Sequence, residues 1–195
     1  MKEFDFTLKF GLPGATIDAE ALVERLAMQG CDDALIGIGQ TGRLALNFTR
    51  QADSAFEAIS SAVVDVKCAM PDAELIEASP DLVGLTDVAD IVGCSRQYMR
   101  KLMITSGATF PAPVHEGKSA LWHLCGLLVW LMESNRYQVE DTLMDIARTT
   151  MQFNMAREAD ELDPVMQTAI ANILNARKHP VSDEELADMR ESGRR

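Results

Sequence analysis

The stretch Leu85-Thr86-Asp87-Val88-Ala89-Asp90-Ile91-Val92-Gly93-Cys94-Ser95-Arg96-Gln97-Tyr98-Met99-Arg100-Lys101-Leu102-Met103 reads as two short helices set around a turn. Thr86 stands before the first, Asp87 to Val92, as its cap, and Gly93 supplies the turn. Ser95 has the hydroxyl that caps the second, Arg96 to Met103. Ala89, Val92, Cys94, Met99 and Leu102 are the expected buried positions, fixing one helix across the other. This is a helix-turn-helix pattern. With Met99 and Leu102 turned inward, Arg96, Gln97, Arg100 and Lys101 face out, and Tyr98 lies at the boundary. Arg and Gln at a helix N-terminus suit guanine and adenine edges, while Arg100 and Lys101 suit phosphates. A plain solvated basic face is the competing reading.

The residues that follow add a wing. Each proline of Phe110-Pro111-Ala112-Pro113-Val114 biases its predecessor away from helix, so this run is extended. His115-Glu116-Gly117-Lys118-Ser119 is a polar turn, and Ala120-Leu121-Trp122 returns as a strand to close a small β-hairpin. A helix from Leu124 to Glu133 then packs back through Leu127, Leu128 and Leu131.

Together, Leu85–Ala89, Val92–Leu102, Phe110–Val114, Leu121-Trp122 and Val129-Trp130-Leu131 resemble the MerR-like winged helix-turn-helix of AlpA-type prophage regulators and excisionases, over residues 82–131. The resemblance implies that the second helix enters the major groove of double-stranded DNA and that the wing tip touches backbone or minor groove. Carried over by position, Ser95, Arg96, Gln97, Tyr98, Arg100 and Lys101 lie on the helix, and His115 and Lys118 on the wing. Two positions depart from the family's pattern. Glu116 sits beside a single Lys118 where several basic residues are frequent, and His123 follows Trp122 where Arg is frequent.

Upstream, residues 1–79 alternate strand and helix signals. Phe4, Phe6, Leu8 and Phe10 recur at period two, as in a half-buried strand, until Gly11-Leu12-Pro13-Gly14 breaks the run. Asp18 caps a helix whose Ala21, Leu22, Leu26 and Ala27 share a face, and Gly30 ends it. Ala34 to Ile38 is a short apolar run, and Leu44, Leu46 and Phe48 alternate again. Ala52 to Met70 is helical, with Phe56, Ile59, Val63 and Val66 as the inner stripe, and Glu74 to Ala78 is a last strand. The order β-α-β-β-α-β predicts a split-βαβ, ferredoxin-like domain. Gly37-Ile38-Gly39-Gln40-Thr41-Gly42 lacks the Lys-Ser/Thr and the helix that a phosphate loop needs, and reads as a hairpin loop.

The fold class expected is therefore α+β in three parts: a ferredoxin-like domain over 1–79, a winged helix-turn-helix over 80–135, and a helical segment over 136–195. In the last part, Val139, Leu143, Ile146, Ala147, Thr150 and Phe153 fall on one face. Asp163-Pro164 starts a helix with the stripe Met166, Ile170, Ile173 and Leu174. Ser182-Asp183-Glu184-Glu185 matches a capping box, and Arg190 to Arg195 forms a frayed tail. These helices either pack on the winged part or form a dimer interface.

Composition sets the outer bounds. The 195 residues are 47 % hydrophobic and 25 % charged, as in a globular protein. No apolar run approaches the roughly 20 residues of a membrane span, and the start lacks a signal-peptide core, so a cytoplasmic protein without membrane contact is expected. Cys31, Cys68, Cys94 and Cys125 are too widely spaced for a zinc knuckle and read as reduced thiols, and no metal or cofactor is expected. The net charge of −12 argues against nucleic-acid binding on average. Between Cys94 and His123, however, Arg96, Arg100, Lys101 and Lys118 face one acid, Glu116. Phosphate contacts are local, screened beyond about 10 Å, so this island outweighs the total.

A DNA-binding transcriptional regulator of repressor type, prophage- or toxin-antitoxin-associated and homodimeric, is the expectation. The alternatives are an excisionase-like DNA-bending protein and an enzyme with an N-terminal active site. The latter finds no His and no paired Cys in residues 1–79. That first domain is left with a small effector, a partner protein or a second copy as its ligand.

Overall fold

Phe4, Phe6, Leu8 and Phe10 are all buried on one face of strand β1, Lys2–Gly11, as their period requires. The computed structural model describes residues 1–12, 18–40 and 42–175. Helix α1, Ala19–Met28, follows, and the Asp18 carboxylate accepts the Glu20 N–H at its start. Strands β2, Ala34–Gln40, and β3, Arg43–Ala52, are antiparallel, and β3 buries Leu44, Leu46 and Phe48 beside the β1 phenylalanines. Helix α2, Ala55–Ala69, starts where the Ser54 hydroxyl accepts the Glu57 N–H. Strand β4, Glu74–Ser79, completes an antiparallel sheet in the order β2-β3-β1-β4. Pro13 and Gly14 of the first expected turn, and Thr41 of the hairpin loop, lie outside the described residues.

Two expected stripes are corrected. Phe56 is 64 % exposed, and α2 meets the sheet through Ala55, Ala58, Ile59, Ala62, Val66 and Ala69. Alanines let the helix backbone approach the sheet closely, and the bulky ring is displaced to the outside, where it tilts against Phe153 at 6.1 Å. In α1 only Leu22 and Leu26, one turn apart, are buried, and Ala21 and Ala27 face out because each lies about 100° around the helix from that pair, on either side of it.

One buried cation anchors this layer. Arg50 of β3 gives Nε and Nη2 to Asp33 at 2.7 and 3.0 Å, Nη1 to Asp65 and Ser61, and a further Nη2 bond to the Gly30 carbonyl. Its guanidinium also lies over the Phe48 ring. Such full pairing is what a buried charge requires.

The second half is helical. Strand β5, Leu82–Val83, leads to α3, Leu85–Ile91, and α4, Arg96–Ser106. Strand β6, Trp122–His123, pairs antiparallel with β5 and runs into α5, Leu124–Glu133. Helices α6, Asp141–Asp160, and α7, Pro164–Asn175, follow. Among the described residues the protein is thus α+β, with one four-stranded antiparallel sheet and seven α-helices. No helix among them is long and apolar enough to cross a membrane. The expected capping box at Ser182 and the tail from Arg190 lie outside the described residues.

Met1–Met155 forms one compact unit, and the described residues from Ala156 to Asn175 belong to a second. The first unit holds two hydrophobic clusters, one between the sheet and α1–α2, the other among α3, α4 and α5. Helix α6 serves both: Ile146 enters the first, Met144 and Ala147 the second.

Candidate nucleic-acid interface

The positions of α3 and α4 follow from their caps. Gly84, not Thr86, precedes α3, and the Asp87 carboxylate accepts the Gly84 N–H at 2.8 Å. The correction has a local cause: Asp87 reaches back to an N–H that would otherwise be unpaired, and Thr86 is then within the first turn. Gly93 turns the chain at φ +70°, a conformation that favours glycine. The Ser95 hydroxyl accepts the Tyr98 N–H at 3.1 Å and caps α4. Met99 and Leu102 are buried beneath α4, while Arg96, Gln97, Arg100 and Lys101 are exposed. Gly107, at φ +51°, ends the helix and starts the return.

That return is held by aromatic packing. The Phe110 ring meets Trp122 edge-on at 6.0 Å and Trp130 at 4.9 Å, and Trp122 Nε1 donates to the Pro111 carbonyl at 2.9 Å. The expected hairpin is shorter than the sequence suggested. His115 and Leu121 form one isolated bridge, and Val114 N–H donates to Leu121 at 2.8 Å. Trp122 does not continue the hairpin; it pairs with Val83 on β5. The prolines explain this, since Pro111 and Pro113 have no N–H to give to a ladder.

Between α4 and the hairpin lies a groove of about 710 Å³. Arg96 and Arg100 reach it from α4, and Lys118 and Glu116 from the hairpin. The ion pairs among the described residues involve none of Arg96, Arg100, Lys101 or Lys118. Asp87 also borders the groove, with its carboxylate committed to Gly84. Of the other expected residues, Gln97 and Lys101 lie on the exposed surface of α4 outside the groove lining, and His115 is exposed at the hairpin base. Ser95 acts as a cap. Tyr98 is 40 % exposed and stands edge-on to Tyr137 at 6.4 Å. Hydrogen bonding with the Cys94 thiol, then burial, pushes the Tyr137 phenol up to about 12.

Sequence reasoning missed the support behind the groove. Asp81 is buried, its Oδ1 2.7 Å from His123 Nδ1, and its Oδ2 accepts Asn154 Nδ2 at 2.8 Å. Its carbonyl accepts the Leu124 N–H at 2.7 Å. The junction of β5, β6, α5 and α6 is therefore fixed around one carboxylate. The only signal in the sequence was an acid placed between Pro80 and Leu82.

A shallower hollow of about 530 Å³ lies on the sheet beside Asp5, Thr7, Asn47 and Thr49. Four of its polar groups are bonded in pairs, Thr7 Oγ1 to Asn47 at 2.6 Å and Thr49 Oγ1 to Asp5 at 2.7 Å. No protein-family model, curated protein or solved structure matches this chain.

Proposed function

We propose that the chain is a sequence-specific double-stranded DNA-binding regulator, repressor-like and acting as a homodimer. In this reading α3, α4 and the 114–121 hairpin form a winged helix-turn-helix, and the β2-β3-β1-β4 sheet with α1 and α2 forms a split-βαβ, ferredoxin-like layer. The observation that carries it is the convergence of Arg96, Arg100 and Lys118 on one groove without carboxylate partners, in a chain of net charge −12. A solvated basic face would not need two separate elements to aim cations at one place. Phosphates recruit such cations, and the exposed surface of α4 beside the groove offers Gln97 to a base edge.

The reading includes two copies, because one recognition helix reads only part of a helical turn and inverted half-sites engage a pair. The test is quantitative gel shifts on duplexes selected from a random pool. Arg96→Ala or Gln97→Ala costs roughly 1–3 kcal/mol and relaxes preference at one base pair. Arg100→Ala or Lys101→Ala weakens all sequences alike and lowers the salt slope by about 0.9 each. Selection that enriches no sequence contradicts the proposal.

A further inference from the structure

On the DNA reading, phosphates engage the cations of the groove between α4 and the hairpin, and nothing engages its floor. That floor is apolar. Leu85 of α3, Met103 of α4, and Pro111 and Pro113 of the return line it, each only partly buried. Trp122 lines it too, buried, with its indole N–H held by the Pro111 carbonyl. Phosphate oxygens gain nothing from such a surface, whereas an apolar group that covers it releases water. Charge surrounds the floor: Arg96, Arg100 and Lys118 stand against Asp87 and Glu116, a surplus of one positive charge. The volume of about 710 Å³ lies within the range of small-molecule sites, roughly 300–1,000 Å³. Every lining residue belongs to the Met1–Met155 unit.

We propose that this groove binds a small organic monoanion, an apolar body bearing one carboxylate, and that the bound ligand excludes DNA. The body covers Leu85, Met103 and the two prolines. The carboxylate accepts from Arg96 or Arg100, since a guanidinium offers two parallel N–H groups to a carboxylate, and Lys118 adds its charge from the hairpin. One surplus charge matches one carboxylate. A neutral ligand leaves the cations without an anion, and a bare anion leaves the floor wet. Occupancy removes the cations that phosphates need and so regulates the same surface. The ligand site stands on the groove alone; only the exclusion of DNA rests on the DNA reading.

Titration calorimetry of the full chain with 2-naphthoate tests it. One equivalent binds, with a dissociation constant of about 100 µM. The neutral 2-naphthamide, the same body without the charge, binds about tenfold more weakly, and acetate, the charge without the body, does not bind up to about 10 mM. Arg100→Ala with Lys118→Ala, both exposed positions, weakens naphthoate binding about tenfold, and Met103→Gln weakens it about threefold, with thermal unfolding as the check on the fold. With 2-naphthoate at about ten times its dissociation constant, affinity for the selected duplex falls about tenfold. No naphthoate binding up to about 10 mM overturns the proposal. So does equal binding of the amide or of acetate, and so does binding that survives the Arg100 and Lys118 changes. Naphthoate that binds without displacing the selected duplex overturns the exclusion of DNA. A chain that binds naphthoate but selects no duplex refutes the DNA reading alone, and one that selects a duplex but does not bind naphthoate refutes this inference alone.

Discussion

The side-chain amide of Asn154 lies against the backbone of Ala78, donating Nδ2 to its carbonyl and accepting its N–H on Oδ1, each at 2.8 Å. The two residues are 76 positions apart, and both are buried. The same Nδ2 group reaches Asp81, and Thr150 one turn earlier donates to the Pro80 carbonyl at 2.7 Å. Helix α6 thereby grips the segment joining the sheet to α3. Asn154→Ala leaves an N–H, a carbonyl and one carboxylate oxygen short of partners in a buried place. We expect a loss of roughly 2–4 kcal/mol in chemical denaturation. A loss under about 1 kcal/mol means that water replaces the amide, and the junction is then not held as described.

Glu116 is the acid that the hairpin brings to the groove. On the proposed DNA reading it repels the phosphates that Arg96, Arg100 and Lys118 would attract. Glu116→Gln is expected to strengthen binding to all duplexes about threefold at low salt, with the gain fading as salt rises. Gel shifts at two salt concentrations measure it. Weaker binding would place Glu116 in base recognition instead, as an acceptor from cytosine.

The cysteines differ in environment. Cys31 is buried, and burial, with Asp65 nearby, pushes its thiol from 9.0 up to about 11. Cys68 is exposed. At pH 8 a thiol reagent should modify Cys68 rapidly and Cys31 only after unfolding. Because the folded-state value is the raised one, Cys31 favours the fold fully below pH 9 and loses that contribution between about pH 9 and 11. Cys31→Ala removes this alkaline slope. Rapid native labelling of all four cysteines would show that the first cluster opens far more readily than its packing implies.

What was legible in the sequence was whatever is local and periodic. The phenylalanines of β1 announce a one-sided strand because the pleat has period two, and Ser95 announces the start of α4 because a cap acts over three residues. The α2 stripe was misread because hydrophobicity favours Phe56, whereas close helix-to-sheet contact selects alanine. Leu82–Val83 is too short to show any period, so the β5–β6 pair was invisible. The Asp81 contacts with His123 and Asn154 span 42 and 73 positions, and no local rule connects them. Arg96, Arg100 and Lys118 were each legible as candidates, but their convergence needed the chain's return at Gly107 and Phe110.

The most direct test of the account is one binding isotherm. The full chain and a variant carrying Arg96→Ala, Gln97→Ala, Arg100→Ala and Lys101→Ala are titrated with the duplex that the wild type selects from a random pool. All four side chains are exposed, so the fold should survive, and thermal unfolding verifies it. The account predicts at least a thousandfold loss of affinity for that duplex, reducing it to the level of random DNA. A folded variant that binds the selected duplex as tightly as the wild type contradicts it.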